Sequence, residues 1–183
     1  MKPIWMQTIA WLAAVAAALA LAFAAPSEFT VMGRLPTVAA MRMDHQPFSL
    51  PSDLPDRPSL ALIGFSRTHR GEIDSWVRGL RLHGDNSIAW VKIPVLNDPG
   101  SPRERKATLD RLLERHPLEK DRARLVPVFT DRDAFVRNAG LSGTEHAGIL
   151  VVGRDGRVLA RVEGHFDESK AQALRETLLA DDL

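Results

Sequence analysis

The chain has 183 residues, of which 45% are hydrophobic and 26% charged, and its formal net charge is +1. These proportions are typical of a globular protein and argue against disorder, and the near-neutral charge argues against a nucleic-acid-binding surface. The sequence contains no cysteine. The chain is therefore not a thiol–disulfide oxidoreductase, a cysteine peroxidase or a lipoprotein modified on cysteine, because each of these needs a thiol.

An apolar segment opens the chain. Residues 4–25 are almost all apolar, follow Lys2 and contain an A-x-A pattern at 22–24. This pattern is typical of a secretory signal peptide, and the run is also long enough, at about 20 residues, to span a bilayer uncut. We therefore interpret residues 1–25 as a signal peptide or an N-terminal membrane anchor. Both alternatives predict a periplasmic protein, either soluble after cleavage or held at the inner membrane.

Residues 26–58 form a lead-in with short apolar pieces. Its second half contains four prolines: Pro47, Pro51, Pro55 and Pro58. Proline breaks helices and biases the preceding residue toward extended backbone, so we expect an extended path over the domain surface. The folded domain is expected to cover residues 59–183.

A strand, a helix and a second strand open this domain. Residues 60–65 form a continuous apolar run, typical of a strand that is buried on both faces. Apolar residues then recur at helical spacing and predict a helix over about 72–83, and residues 88–93 predict the second strand. Short connections between such elements favour a right-handed parallel crossover.

The next region is charge-dense and helical. Ser101 fits a helix cap, Pro102 the first helical position and Glu104 the end of a capping box. Pro117 ends this helix, and we interpret the charges over 103–115 as its solvated face, which could also meet a partner.

The last third of the chain predicts a strand, a short helix, a hairpin and a helix. The strand covers 125–129 and the short helix 133–139. Asp155-Gly156 between two apolar runs is a hairpin signal, and Asp167 fits the cap of the final helix. The sequence therefore predicts an α/β fold with a central mixed sheet, in which a parallel crossover and a C-terminal antiparallel hairpin are flanked by helices.

These elements resemble the extracytoplasmic thioredoxin-like proteins of the TlpA/ResA type. The resemblance covers residues 126–131, 138–141 and 148–159, Gly164 and the final helix, together with the first strand and helix. It implies a thioredoxin-like domain over about two-thirds of the chain.

The chain departs from that family at the redox site. The family has a Cys-x-x-Cys pair at the start of the first helix, where this chain has Ser-Arg-Thr-His-Arg-Gly-Glu-Ile at 66–73. The family's cis-proline corresponds to Ala147. The resemblance therefore implies a redox-inactive relative.

A looser resemblance points to assembly. Residues 62–66, 74–76, 128–131 and 154–159 are similar to the thioredoxin-like assembly-factor family of the mitochondrial ATP synthase, in which cysteine-less members occur. This likeness implies a non-catalytic assembly, chaperone or binding module.

The candidate binding residues lie in two loops. They are Ser66, Arg67, Thr68, His69, Arg70, His146 and Ala147. Ligands often bind beyond the carboxyl ends of parallel strands, and paired arginines suit a carboxylate, a phosphate or an acidic peptide. The alternative is that these are solvated loop charges.

Two further alternatives remain. A hydrolase-like enzyme would use His69 with Ser66 or Thr68, although the sequence identifies no orienting acid. A metal carrier would use His69 and His146, whose loops are expected to adjoin. Some copper-delivery relatives of this fold bind through two Cys and one His, and the Cys ligands are missing here. We predict no cofactor and no catalytic residue.

The favoured function is the binding of a protein or peptide partner of the envelope in a groove widened by the missing cis-proline, between residues 66–70 and 145–147.

Overall fold

The computed structural model describes residues 33–84 and 87–180. The predicted signal peptide or anchor at residues 1–25 and the start of the lead-in lie outside these residues. Within the described ranges, no helix is long and apolar enough to cross a membrane.

Twelve elements follow one another in these ranges. They are β1 (Val38–Met41), β2 (Pro47–Leu50), β3 (Ser59–Gly64), α1 (His69–Gly79), β4 (Ala89–Leu96), α2 (Pro102–Arg115), α3 (Glu119–Arg122), β5 (Val128–Phe129), α4 (Arg132–Ala139), β6 (Gly148–Val152), β7 (Val158–Glu163) and α5 (Glu168–Ala180). Five of the strands form one sheet in the order β5-β4-β3-β6-β7, and β1 pairs with β2.

The sheet is mixed, as the sequence predicts. β3 is parallel to β4, and β4 is parallel to β5. β6 runs antiparallel to both β3 and β7. Helices flank this sheet, which confirms the predicted α/β class.

The central strand separates two halves of the core. Every residue of β3 is buried, because both faces of the strand are covered. Leu60 and Leu62 point to the face that carries α1 and α5, where Trp76 is fully buried. Ala61 and Ile63 point to the opposite face, which carries α4 and the β1–β2 hairpin. The period-2 alternation of a strand thus places adjacent residues in separate clusters.

The lead-in contributes to the core. The sequence places residues 26–58 in an extended path over the surface, but part of this segment forms the β1–β2 hairpin. Four of its apolar side chains are buried in the cluster on the α4 face: Leu35, Phe48, Leu50 and Leu54. The prolines exclude a helix, and the apolar residues between them are buried.

The predicted helix caps at Ser101 and Asp167 are present, and Asp131 is a further cap that was not predicted. The Ser101 hydroxyl accepts the Glu104 N–H at 3.3 Å. Asp131 caps α4 through the Ala134 N–H at 3.0 Å, and Asp167 caps α5 through the Lys170 N–H at 3.1 Å. The first helix differs from its prediction, since it begins at His69 rather than near 72 and ends at Gly79 rather than 83.

Candidate functional site

His69 is a buried residue at the start of α1. Only 2% of it is exposed. Its Nδ1 accepts the backbone N–H of Phe65 at 3.1 Å, and its Nε2 lies 3.2 Å from the carbonyl oxygen of Glu145. These two partners require the tautomer that carries its proton on Nε2, because Nδ1 accepts and the carbonyl can only accept. His69 therefore ties the end of β3 to the loop before β6.

Two hydroxyl groups lie beside this histidine in the sequence. Ser66 and Thr68 are exposed, and their hydroxyl oxygens are 2.5 Å apart. Both ring nitrogens of His69 are bonded to backbone groups. A hydrolase needs a histidine nitrogen that accepts the nucleophile's proton, so this arrangement does not provide the base of the hydrolase-like alternative.

Glu72, one turn into α1, is a site residue that the sequence analysis missed. Its side chain is 11% exposed. One carboxylate oxygen accepts the backbone N–H of Ala147 at 2.6 Å, and the other lies 3.0 Å from Nδ1 of His146. A proline at position 147 would have no N–H to donate. Ala147, the position that the resemblance matches with the family's cis-proline, thus supplies the N–H that Glu72 binds.

These contacts close the predicted groove. A widened groove is expected from the sequence between residues 66–70 and 145–147. In the structure, His69 bonds to Glu145, and Glu72 bonds to Ala147 and His146, across that space. Ala147, unlike a proline, has a backbone donor at this position, and the carboxylate of Glu72 satisfies it across the gap.

The Glu72–His146 pair shifts the pKa of both partners. Burial alone would raise the pKa of Glu72, but the Ala147 N–H and the hydrogen bond and charge of His146 hold it below its ordinary value of 4.5. The hydrogen bond from Glu72, followed by its charge, raises the pKa of His146 above its ordinary value of 6.5. Each group thus stabilises the charged form of the other.

This pair predicts a stability maximum in mildly acidic solution. The lowered pKa of Glu72 stabilises the fold above 4.5, and this contribution is lost as the pH falls through the folded pKa. The raised pKa of His146 stabilises the fold below 6.5, and this contribution is lost as the pH rises through the folded pKa. Urea unfolding measures the free energy of unfolding across this range. The Glu72–His146 pair should contribute most to it between pH 4.5 and pH 6.5.

Two histidine variants test the alkaline side of this profile. We expect His146→Ala to remove the loss of stability above pH 6.5, and His165→Ala, at an exposed histidine outside the pair, to keep it. An unchanged alkaline slope in His146→Ala would show that the pair does not control it.

A cleft of about 520 Å³ lies between α1 and α2, over the carboxyl ends of β3 and β4. Six basic side chains line it: Arg67, Arg70, Lys92, Arg111, Arg115 and Arg132. Asp74 is the one acidic residue among its lining residues, and it lies 3.5 Å from Arg70 and 3.3 Å from Lys92. The lining therefore carries a large excess of positive charge.

The cleft contains residues that the sequence analysis interpreted differently. The charges over 103–115 were expected to be the solvated face of a helix, but Arg111 and Arg115 line the cleft. They lie one turn apart, on the side of α2 that carries Thr108 and Leu112. The spacing of Arg111 and Arg115 predicts that they share one side of α2. The sequence does not show which element this side faces.

The seven predicted site residues fall into two groups. Ser66, Arg67 and Arg70 line the cleft, next to the exposed Thr68. His69 and Ala147 are buried behind them, and His146 is exposed and bound to Glu72. The rings of His69 and His146 thus bind different partners. The residues at 33–84 and 87–180 contain no group of three His, Cys, Asp or Glu arranged to hold a metal ion.

The fold is that of known proteins, although the sequence is not close to theirs. No family model and no curated protein matches this chain. BsSco, a member of the Sco family of cytochrome c oxidase assembly proteins, is similar with a TM-score of 0.55 and 16% identity over 84% of this chain and 96% of its own. Arabidopsis thaliana ScoI, solved with copper bound, is similar with a TM-score of 0.54 and 10% identity, over 82% of this chain and 99% of its own.

A third similar structure is the exposed lipoprotein thioredoxin Etrx1 of Streptococcus pneumoniae. Its TM-score is 0.51, with 14% identity over 77% of this chain and 99% of its own. The described part of the chain therefore has a thioredoxin-like fold, in a protein without cysteine.

Proposed function

We propose that this chain is a redox-inactive thioredoxin-like protein that binds a protein partner in the cell envelope, as an assembly or chaperone module. The observation that carries this proposal is the exposed basic surface beside the start of α1 in a chain that has no thiol. Location in the envelope rests on the export signal predicted at residues 1–25.

The residues at the start of α1 support a binding role over a catalytic one. His69 and Glu72 use their polar atoms to bind the loop at 145–147. These bonds fix the backbone beside Ser66 and Arg67. A rigid surface loses less conformational entropy when a partner binds, which favours recognition.

The charge of this surface supports an acidic partner segment. Arg67 is exposed and forms no ion pair with the described residues. The side chain of Arg70 is 62% exposed and lies 3.5 Å from Asp74, at the long end of ion-pair distances. Both guanidinium groups are thus available to the carboxylates of a partner, which they can bind with two parallel hydrogen bonds.

A crosslinking pull-down from the native envelope tests this function. We expect Arg67→Ala combined with Arg70→Ala to reduce the recovery of one specific partner by about tenfold, since each lost charge-assisted hydrogen bond weakens binding. The same partner should dissociate from the wild type as salt is raised, because exposed charges are screened.

The matched control removes two arginines at the opposite end of the sheet. Arg154 and Arg157 flank the β6–β7 turn, and Arg154→Ala combined with Arg157→Ala should leave that partner bound. A partner set unaffected by the loss of Arg67 and Arg70, or affected equally by both double variants, would exclude this surface as the binding site.

A further inference from the structure

Helix α2 covers the sheet incompletely. None of its residues is fully buried, although Leu109, Leu112 and Leu113 lie on its inner side and are half-buried. An amphipathic helix usually buries its apolar stripe against the core. Here Leu112 lines the cleft instead.

The floor of the cleft is apolar. Its buried part includes Leu62, Phe65, Ile93 and Leu125. Four further apolar side chains line it and are only half-buried: Ile73, Pro94, Leu96 and Leu112. Burying such surface strengthens binding by about fourfold per methylene group. The cleft thus offers apolar contact area beneath its basic side chains.

Both basic groups that α2 contributes to the cleft lack an ion pair among the described residues. Arg111 and Arg115 have none within the described part of the chain, whereas Arg70 and Lys92 share Asp74. The Thr108 hydroxyl lines the same side of α2. These groups can hold one anion, since guanidinium donors bind carboxylates and phosphates through paired hydrogen bonds.

The backbone beneath the cleft has no free edge for a peptide. β3 is paired on both sides, with β4 and β6. β4 is paired with β3 on one side and with β5 on the other, and Lys92 also exchanges hydrogen bonds with Arg124 and Val126. A peptide backbone on the floor of the cleft would need partners for its own N–H and C=O groups, whereas an acyl chain has none to satisfy.

We propose that this cleft binds a single-chain amphiphile, with its anionic head group on the arginines of α2 and its acyl tail on the apolar floor. The volume of about 520 Å³ lies within the range of small-molecule sites. This site goes beyond the proposed partner binding, because it depends on Arg111 and Arg115, which the partner experiment leaves intact.

His116, at the end of α2, provides a spectroscopic reporter. It lines the cleft. Burial lowers its pKa, the positive charges of Lys92 and Arg70 lower it further, and Asp121 and Asp74 act in the opposite direction. A bound anion would offset the positive charges, so the NMR-measured pKa of His116 should rise when the cleft is filled.

The experiment titrates the purified protein with amphiphiles below their micelle concentration, using calorimetry and the His116 signals. Dodecanoate and dodecyl phosphate are the two anionic probes, and the one that binds more tightly identifies the head group. Octanoate should bind more weakly by about fourfold per methylene removed. Dodecyltrimethylammonium, with the same tail and the opposite charge, should not bind.

Matched variants locate the head group. We expect Arg111→Gln combined with Arg115→Gln to weaken binding of the anionic probe by about tenfold or more. Arg103→Gln combined with Lys106→Gln removes the same charge from α2 at exposed positions outside the cleft and should change the affinity little.

Three results would overturn the proposal: no binding of either anionic probe, equal binding of the cationic probe, or equal weakening by both double variants. Partner capture that depends on Arg67 and Arg70 would stand in each case, so failure of this site is distinguishable from failure of the proposed function.

Discussion

Replacing His69 with alanine should lower the free energy of unfolding by about 3 kcal/mol, the combined cost of unsatisfied polar groups and a small cavity. The His69 ring accepts the Phe65 N–H and reaches the Glu145 carbonyl, and it is almost fully buried. The alanine variant leaves the buried Phe65 N–H without its acceptor. Urea unfolding with circular dichroism measures the loss.

Two conservative variants divide the effect of His69 between its two bonds. The side-chain oxygen of His69→Asn can replace Nδ1 as acceptor of the Phe65 N–H, whereas the amide of His69→Gln can reach the Glu145 carbonyl. Both should be more stable than His69→Ala. A control at the exposed His165 should stay within about 0.5 kcal/mol of the wild type. If His69→Ala is as stable as that control, the histidine is not structural and a chemical role must be reconsidered.

Replacing Glu72 with alanine should lower the free energy of unfolding by about 2–3 kcal/mol, since a carboxylate bond to a buried N–H is lost. Ala147 is fully buried, and Glu72 supplies the acceptor for its N–H at 2.6 Å. The measurement is made between pH 4.5 and 6.5, where both members of the Glu72–His146 pair are charged.

Glu72→Gln distinguishes the hydrogen bond from the charge. Its amide oxygen can still accept the Ala147 N–H, so it should lose less stability than Glu72→Ala. A double-mutant cycle with His146→Ala measures the coupling within the pair, and Glu114→Ala serves as control because Glu114 is exposed on α2. A loss in Glu72→Ala no greater than in this control would contradict the assigned role of Glu72.

The sequence predicts much of the fold because local patterns encode it. The continuous apolar run of β3 predicts a strand covered on both faces, and Asp155-Gly156 predicts the β6–β7 turn, in which Gly156 has a φ of 84°. Ser101 and Asp167 mark helix starts that are present. These signals depend on residues a few positions apart.

The absence of thiol–disulfide exchange is a property of composition alone. A chain without cysteine cannot exchange disulfides, whatever its fold. The sequence also directs attention to the loops after β3 and before β6, and the first of these contributes Ser66, Arg67 and Arg70 to the cleft.

Only the tertiary structure decided how those loops meet. Glu72 and Ala147 are 75 positions apart, and His69 and Glu145 are 76 apart, so no periodicity or cap relates them. Their contacts depend on the β3–β6 register, which pairs Ile63 with Gly148 and brings the start of α1 to the loop before β6. The cleft likewise exists because α2 and α1 lie on the same face of the sheet. Local patterns define elements, whereas the packing of those elements determines which polar side chains bind each other and which remain available to a ligand.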